Sequence, residues 1–217
     1  MSASESAELN PVFDYRTLRL LVGFVAFALP LAVSAISPTP LSSISGSYYT
    51  PARDAFVGAL FAICALLLAY NGHSLREKVA SKVAAVAAIF VAAFPTSCNT
   101  CAMDRTATIH YIAAIVVFAV IAYFCLVPFR LNTKGKTGKA GLRARIYLVC
   151  GCIIAASMLG AGVAYLALPA ETREAWAVTY WAELIALWAF ALAWMVSGKF
   201  VRFLVDDKEE QLVLSLK

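Results

Sequence analysis

The sequence predicts an all-α, polytopic membrane protein: a six-transmembrane-helix bundle with N- and C-termini cytoplasmic. Three observations carry this expectation. Hydrophobic residues make up 62% of the 217 and charged residues only 14%, with a mean hydropathy of +0.78. Soluble domains are typically about 45–50% apolar and roughly 25% charged. Six apolar segments approach the ~20 residues that a membrane helix needs, and lysine and arginine gather in alternate connections. Such a chain leaves no room for a large soluble catalytic domain, and it is neither a DNA-binding module nor a disordered protein.

The first span is expected at 20–36, with Pro30 inside it. Arg16 and Arg19 before this run, and Val33-Ser34-Ala35 at its end, resemble a secretory signal with its cleavage site. Glu5, Glu8 and Asp14 make the leader acidic instead, so an uncleaved first span is expected. The second span is 55–71, bounded by Asp54 and His73. The third, 79–94, is the weakest, because its uninterrupted apolar stretch, 83–94, has only twelve residues. It reaches full length if Lys82 snorkels to the head groups. Spans four, five and six are expected at 110–129, 146–168 and 177–198. This leaves cytoplasmic tails at 1–16 and 199–217 around a six-helix domain at 17–198. No connection is long enough to be a domain, and no internal repeat is evident.

Charge fixes the expected orientation. Fifteen of the 18 basic residues fall on the side that holds both termini and the second and fourth loops. The fourth loop alone carries Arg130, Lys134, Lys136, Lys139, Arg143 and Arg145, whereas the other side has only Arg53, Arg105 and Arg173. The positive-inside rule puts the rich side in the cytoplasm. The net charge of +5 is thus a topology signal, and no nucleic-acid partner is expected.

Small residues four apart mark faces where helices approach closely in lipid. Ala80, Ala84, Ala88 and Ala92 form one such ridge in the third span, and Ala156, Gly160 and Ala164 another in the fifth. Both are expected to face other helices. Trp176 and Trp181 suit an aromatic belt at the non-cytoplasmic interface.

Ionisable groups in a membrane are costly, so each is a functional candidate by default. Counting 1.5 Å per residue from the cytoplasmic ends puts Glu183 roughly 6 Å below the opposite surface. The same count puts His110, Arg53 and Asp54 at that boundary. Asp54 shares a helical face with Gly58 and Phe61, and His110 with Ala113, Ala114 and Val117. Small neighbours suggest that both point into the bundle. Arg53, Asp54, His110 and Glu183, with Tyr49 of the Tyr48-Tyr49 pair beside them, are therefore the candidate ligand-binding residues. They could form a proton-transfer pair, a head-group clamp or a structural ion pair.

The third outer loop adds Cys98 and Cys101, a Cys-x-x-Cys on the oxidising side. A local disulfide is the favoured reading, with free thiols as the alternative. Zinc held by Cys98, Cys101, Asp104 and His110 is the weaker possibility, and no cofactor is expected. Cys64, Cys125, Cys150 and Cys152 lie within spans and read as small core residues.

Several strings together carry a resemblance: Tyr48-Tyr-Thr-Pro-Ala-Arg-Asp-Ala-Phe-Val-Gly, Phe94-Pro-Thr, His110-Tyr-Ile-Ala-Ala and Trp181-Ala-Glu-Leu-Ile-Ala-Leu-Trp. They resemble a family of bacterial six-span membrane proteins classed under domains of unknown function. More distantly, the layout is similar to the damage-regulated autophagy modulator and Sfk group. The resemblance covers about residues 17–198 and implies six spans, with polar family positions at Arg53, Asp54, His110 and Glu183. It implies no established reaction, only an association of the distant relatives with membrane-lipid processes. A likeness to alkaline ceramidases fails, because their zinc site needs three histidines and this chain has only His73 and His110.

The functional expectation is an integral protein of a bacterial inner membrane or plasma membrane, with membrane lipids as partners. It would bind a lipid-like or amphiphilic ligand at a polar site in the non-cytoplasmic leaflet, in a pocket between the second, fourth and sixth helices. One alternative is a structural scaffold without ligand. Another is an intramembrane enzyme with Glu183 or Asp54 as base and His110 as acid. A transporter is disfavoured, because the cytoplasmic halves of the spans carry few polar groups.

Overall fold

Long apolar runs broken by Gly, Pro and charged connections fold as helices, since a backbone in lipid must satisfy its own hydrogen bonds. The computed structural model describes residues 15–98, 103–133 and 137–205. Among them there is no strand. The long helices are α1 (Tyr15–Ile36), α2 (Arg53–Ala69), α3 (Leu75–Ala93), α4 (Arg105–Leu126), α5 (Gly138–Ala167) and α6 (Val178–Ser197). Short helical turns follow at Pro128–Leu131 and Ala170–Ala175, and 3-10 turns at Ser45–Tyr49 and Arg202–Leu204.

Four stretches are long and apolar enough to cross a membrane: Arg16–Ile36, Arg105–Leu131, Gly138–Ala167 and Val178–Ser197. The other two long helices differ for separate reasons. α2 has 17 residues, a rise of about 26 Å. α3 carries Arg76, Glu77, Lys78 and Lys82 in its first half.

Each long helix packs on its neighbours in sequence and α6 closes against α1, which makes a ring. Gly23 of α1 permits that closure: a Cβ there would stand 2.7 Å from Met195 Cγ of α6. The core has two parts. Tyr70, Phe124, Phe129, Tyr147 and Phe190 gather around fully buried Trp194 toward the basic end, where α1 begins and α2 and α6 end. Leu29, Val33, Ile44, Phe56, Leu60 and Leu184 fill the distal end.

The alanine ridge of α3 does face other helices, with Ala84, Ala88 and Ala92 buried. The ridge of α5 does not. Ala156 and Gly160 are exposed, and a Cβ on Gly160 would meet nothing within 4 Å. The buried face of α5 lies nearer its start, at Ala140, Arg143, Tyr147, Cys150, Gly151 and Ile154.

Helix ends depart most from expectation at the basic end, where helices run on into residues read as loop. α5 starts at Gly138 rather than 146, and buries Arg143 against the segment after α6. Arg143 Nη1 donates to the Leu204 carbonyl, and Lys139 Nζ to that of Val205 at 2.7 Å. Leu204 and Val205 are themselves buried. Leu204 and Val205, the last described residues, are thus packed against the start of α5.

A recurrent device closes the helices. The last carbonyls of a helix have no partner within it, and side chains from a neighbouring helix supply one. Arg19 Nη1 donates to Ser197 O at 2.9 Å, and Arg16 Nε to Gly198 O at 3.2 Å, at the end of α6. Ser81 and Lys82 of α3 donate to Leu67 O and Leu68 O at the end of α2, and Lys82 also reaches Tyr70 O at 3.1 Å. Lys82, expected to snorkel to the head groups, makes this cap at the basic end of the bundle. Cations at helix C-termini also meet the negative end of the helix dipole.

Candidate functional site

Glu183 lies in the second turn of α6, on the side facing the α1–α2 loop. Tyr180 first anchors that loop: its N–H donates to Ser42 O at 3.0 Å, and its hydroxyl lies 2.8 Å from Ser34 Oγ. One turn on, Glu183 Oε2 accepts the Ile44 N–H at 2.6 Å, and Oε1 accepts Ser45 Oγ at 3.5 Å. The carboxylate therefore sits at the N-terminal end of the 3-10 turn Ser45–Tyr49, where backbone N–H groups favour an anion. Its ligand is the chain's own loop.

Asp54 takes the opposite position from the one expected. Its side chain is 97% exposed, with Arg53 Nε 3.9 Å away as its ion-pair partner. Gly58 and Phe61 on the same face are exposed as well. The buried stripe of α2 is Phe56, Leu60, Ile63 and Leu67, whose large side chains bury more apolar surface than a face holding glycine and aspartate. Arg53 extends over the Tyr48 ring, 5.4 Å from its centre.

His110 faces inward as expected and is buried. Its Nδ1 lies 2.7 Å from the carbonyl oxygen of Phe94, the residue that ends α3. The segment after Phe94 is held by two tyrosines. Thr96 Oγ1 donates to the Tyr111 hydroxyl at 3.0 Å, and Tyr49 Oη donates to Thr96 O at 2.5 Å. Partial burial of the Tyr49 phenol, with smaller contributions from Asp104, Tyr48 and Tyr111, raises its pKa above the usual tyrosine value.

Cys98 is disulfide-bonded, while Cys101 lies outside the described residues. The other ligands of the weaker zinc reading have different partners. Asp104 Oδ1 caps α4 by accepting the Ala107 N–H at 2.7 Å, and His110 is held by Phe94. Among the described residues, no three His, Cys, Asp or Glu side chains gather as a metal site.

The structure pairs Arg53 with Asp54 and gives His110 and Glu183 backbone partners of their own. No hydrogen bond or ion pair among the described residues joins any two of Asp54, His110 and Glu183. A cavity lies elsewhere than between the second, fourth and sixth helices. A groove of about 670 Å³ runs between α3 and α4 on the outside of the ring. Val79, Val83 and Phe90 line it from α3, and Ile112, Ala113 and Val116 from α4. None of Tyr49, Arg53, Asp54, His110 or Glu183 lines it.

The most connected polar cluster lies at the basic end, on residues that the sequence reading treated as topology signals or passed over. Arg19 Nη2 donates to Tyr70 Oη at 2.8 Å, and Tyr70 Oη donates to Glu77 Oε2 at 3.1 Å. The same Glu77 oxygen accepts the His73 N–H at 3.1 Å. His73 Nδ1 stands 3.6 Å from that oxygen and 3.4 Å from Arg19 Nη2. Arg19 and Glu77 are both buried, and the guanidinium also rests on the Tyr70 and Phe129 rings. A local signal was present in Ser74-Leu75-Arg76-Glu77, a helix-capping pattern. Ser74 Oγ accepts the Glu77 N–H at 3.2 Å. Gly72 completes the turn at φ +64, where any Cβ would collide with Glu77.

Fold and site define the class: an all-helical protein with four helices long and apolar enough to cross a membrane. Beyond that class, no family model, curated protein or solved structure matches the chain.

Proposed function

We propose that the chain is an integral membrane protein of six spans with both termini in the cytoplasm, which binds a lipid-like, amphiphilic ligand along the α3–α4 groove. The observation that carries this reading is the groove itself, apolar along its length and open to the side of the ring. The distribution of basic residues supports the orientation. In a short helix such as α2, local thinning of the bilayer accommodates the remaining mismatch. The six-span arrangement, the implied bacterial inner or plasma membrane and the lipid association agree with the resemblance seen in the sequence. Glu183 and His110 hold loops and a helix end in this reading and do not touch the ligand.

Native mass spectrometry of the gently extracted protein tests it. Retained phospholipid is expected on the wild type and on Glu183→Gln, and is expected to fall strongly on Val86→Trp, which fills the groove. A wild type that carries no lipid would contradict the reading. A scaffold without ligand is the second reading, favoured by the engagement of Glu183 and His110 with backbone groups. The enzyme reading needs acid and base around one substrate atom, and the separation of Asp54, His110 and Glu183 weighs against it.

A further inference from the structure

Among the described residues, the charged side chains lining the α3–α4 groove are Lys78 and Lys82, and no carboxylate joins them. Both sit at one end of it. Lys82 Nζ is bound to the carbonyls of Leu68 and Tyr70, which places it level with the end of α2 at the basic end of the bundle. Lys78 lies one turn nearer that end and is exposed. From Lys82 to Phe90 the helix rises about 12 Å, close to one leaflet, which is half of a hydrocarbon core of roughly 30 Å. An apolar trough about one leaflet long, with cations where head groups lie, complements one class of molecule.

We propose that the groove selects an anionic phospholipid of the cytoplasmic leaflet, with an acyl chain against Val79, Val83 and Phe90 of α3 and Ile112 and Val116 of α4. Lys78 faces the head-group phosphate. This rests on the lipid reading above and specifies its ligand. Lys82, tied to the end of α2, adds positive potential and fixes the depth of the mouth. Arg76, in the same first turn of α3, is exposed and adds to the attraction. Glu77 is turned away, buried against Tyr70 and His73.

The test titrates the full-length protein in detergent with phosphatidylglycerol or phosphatidylcholine of identical chains and counts bound lipid by native mass spectrometry. Phosphatidylglycerol is expected to bind about fivefold more tightly, the size of one lysine near an anionic surface. Lys78→Glu, a change at an exposed position, is expected to abolish the preference while phosphatidylcholine binding persists. Val86→Trp is expected to reduce binding of both. Equal binding of both lipids by the wild type, unchanged in Lys78→Glu, would overturn the anionic selection and leave the lipid reading standing. Binding of neither would overturn both. A dimer mass that Val86→Trp converts to monomer would overturn both in favour of a second copy of the chain in the groove.

Discussion

At the distal end Glu183 binds Ile44 and Ser45, His110 binds Phe94, and Asp54 pairs with its neighbour Arg53. At the basic end Arg19, Tyr70, His73 and Glu77 bind one another, and Arg19 closes α6 as well. Glu183 and His110 are separate clamps, each made by one side chain on one stretch of chain. The basic-end set is a network that ties α1, α3 and α6 to the end of α2. The contrast shows that ionisable groups near the same end of a helical bundle do not thereby form a site. A helix end or a loop has backbone groups without partners, and a polar side chain nearby can be fully occupied by satisfying them.

Removing a member of the network should therefore cost more than removing a clamp. Glu77→Ala strips partners from the Tyr70 hydroxyl and the His73 N–H in a buried site, and removes the carboxylate that Tyr70 links to Arg19. A loss of about 2 kcal/mol is expected, read as a lowered midpoint on denaturant titration in mild detergent. A loss no larger than that of an exposed substitution would mean that the network is ornamental.

Glu183→Gln comes next. The amide keeps an oxygen for the Ile44 N–H but gives up the charge at the 3-10 turn, so about 1 kcal/mol is expected. The same titration should show this, with lipid retention unchanged. A change in bound lipid without a change in stability would return Glu183 to the ligand site.

The smallest effect is at Tyr49. Its folded-state pKa is raised, so the neutral phenol is the form the fold favours. The resulting stability is fully present below the ordinary tyrosine pKa and is lost as pH rises through the higher folded value. Phenolate absorbance, compared between wild type and Tyr49→Phe, should show this tyrosine ionising later than an exposed one. Ionisation at or below the ordinary value would contradict the partial burial of that phenol.

Hydropathy made the helices legible, because long apolar runs have few other ways to satisfy their backbone. It did not mark their ends at the basic end. Arg19, Lys82 and Arg143 count as polar on any such scale, yet each lies within a helix and donates to the carbonyl of another segment. The direction of the candidate side chains was only partly legible. His110 points inward as its small neighbours suggested. Asp54 does not, because small neighbours mark an interior face only where no larger apolar stripe competes for it. Glu183 was legible as a carboxylate within an apolar helix, but its partner, the Ile44 N–H, is set by the path of a loop 139 positions away. Glu77 was missed because a charged residue in the first turn of a helix usually lies in solvent; Ser74, three residues before it, was the available clue.

The central claim is that the distal polar groups are independent while those at the basic end act as one. A pair of double-mutant cycles tests it most directly, with Glu183→Gln and His110→Ala in one and Tyr70→Phe and Glu77→Gln in the other. The first pair should add to within about 0.5 kcal/mol, and the second should show a coupling of about 1 kcal/mol or more. Strong coupling between Glu183 and His110 would contradict the account and restore a shared site at the distal end.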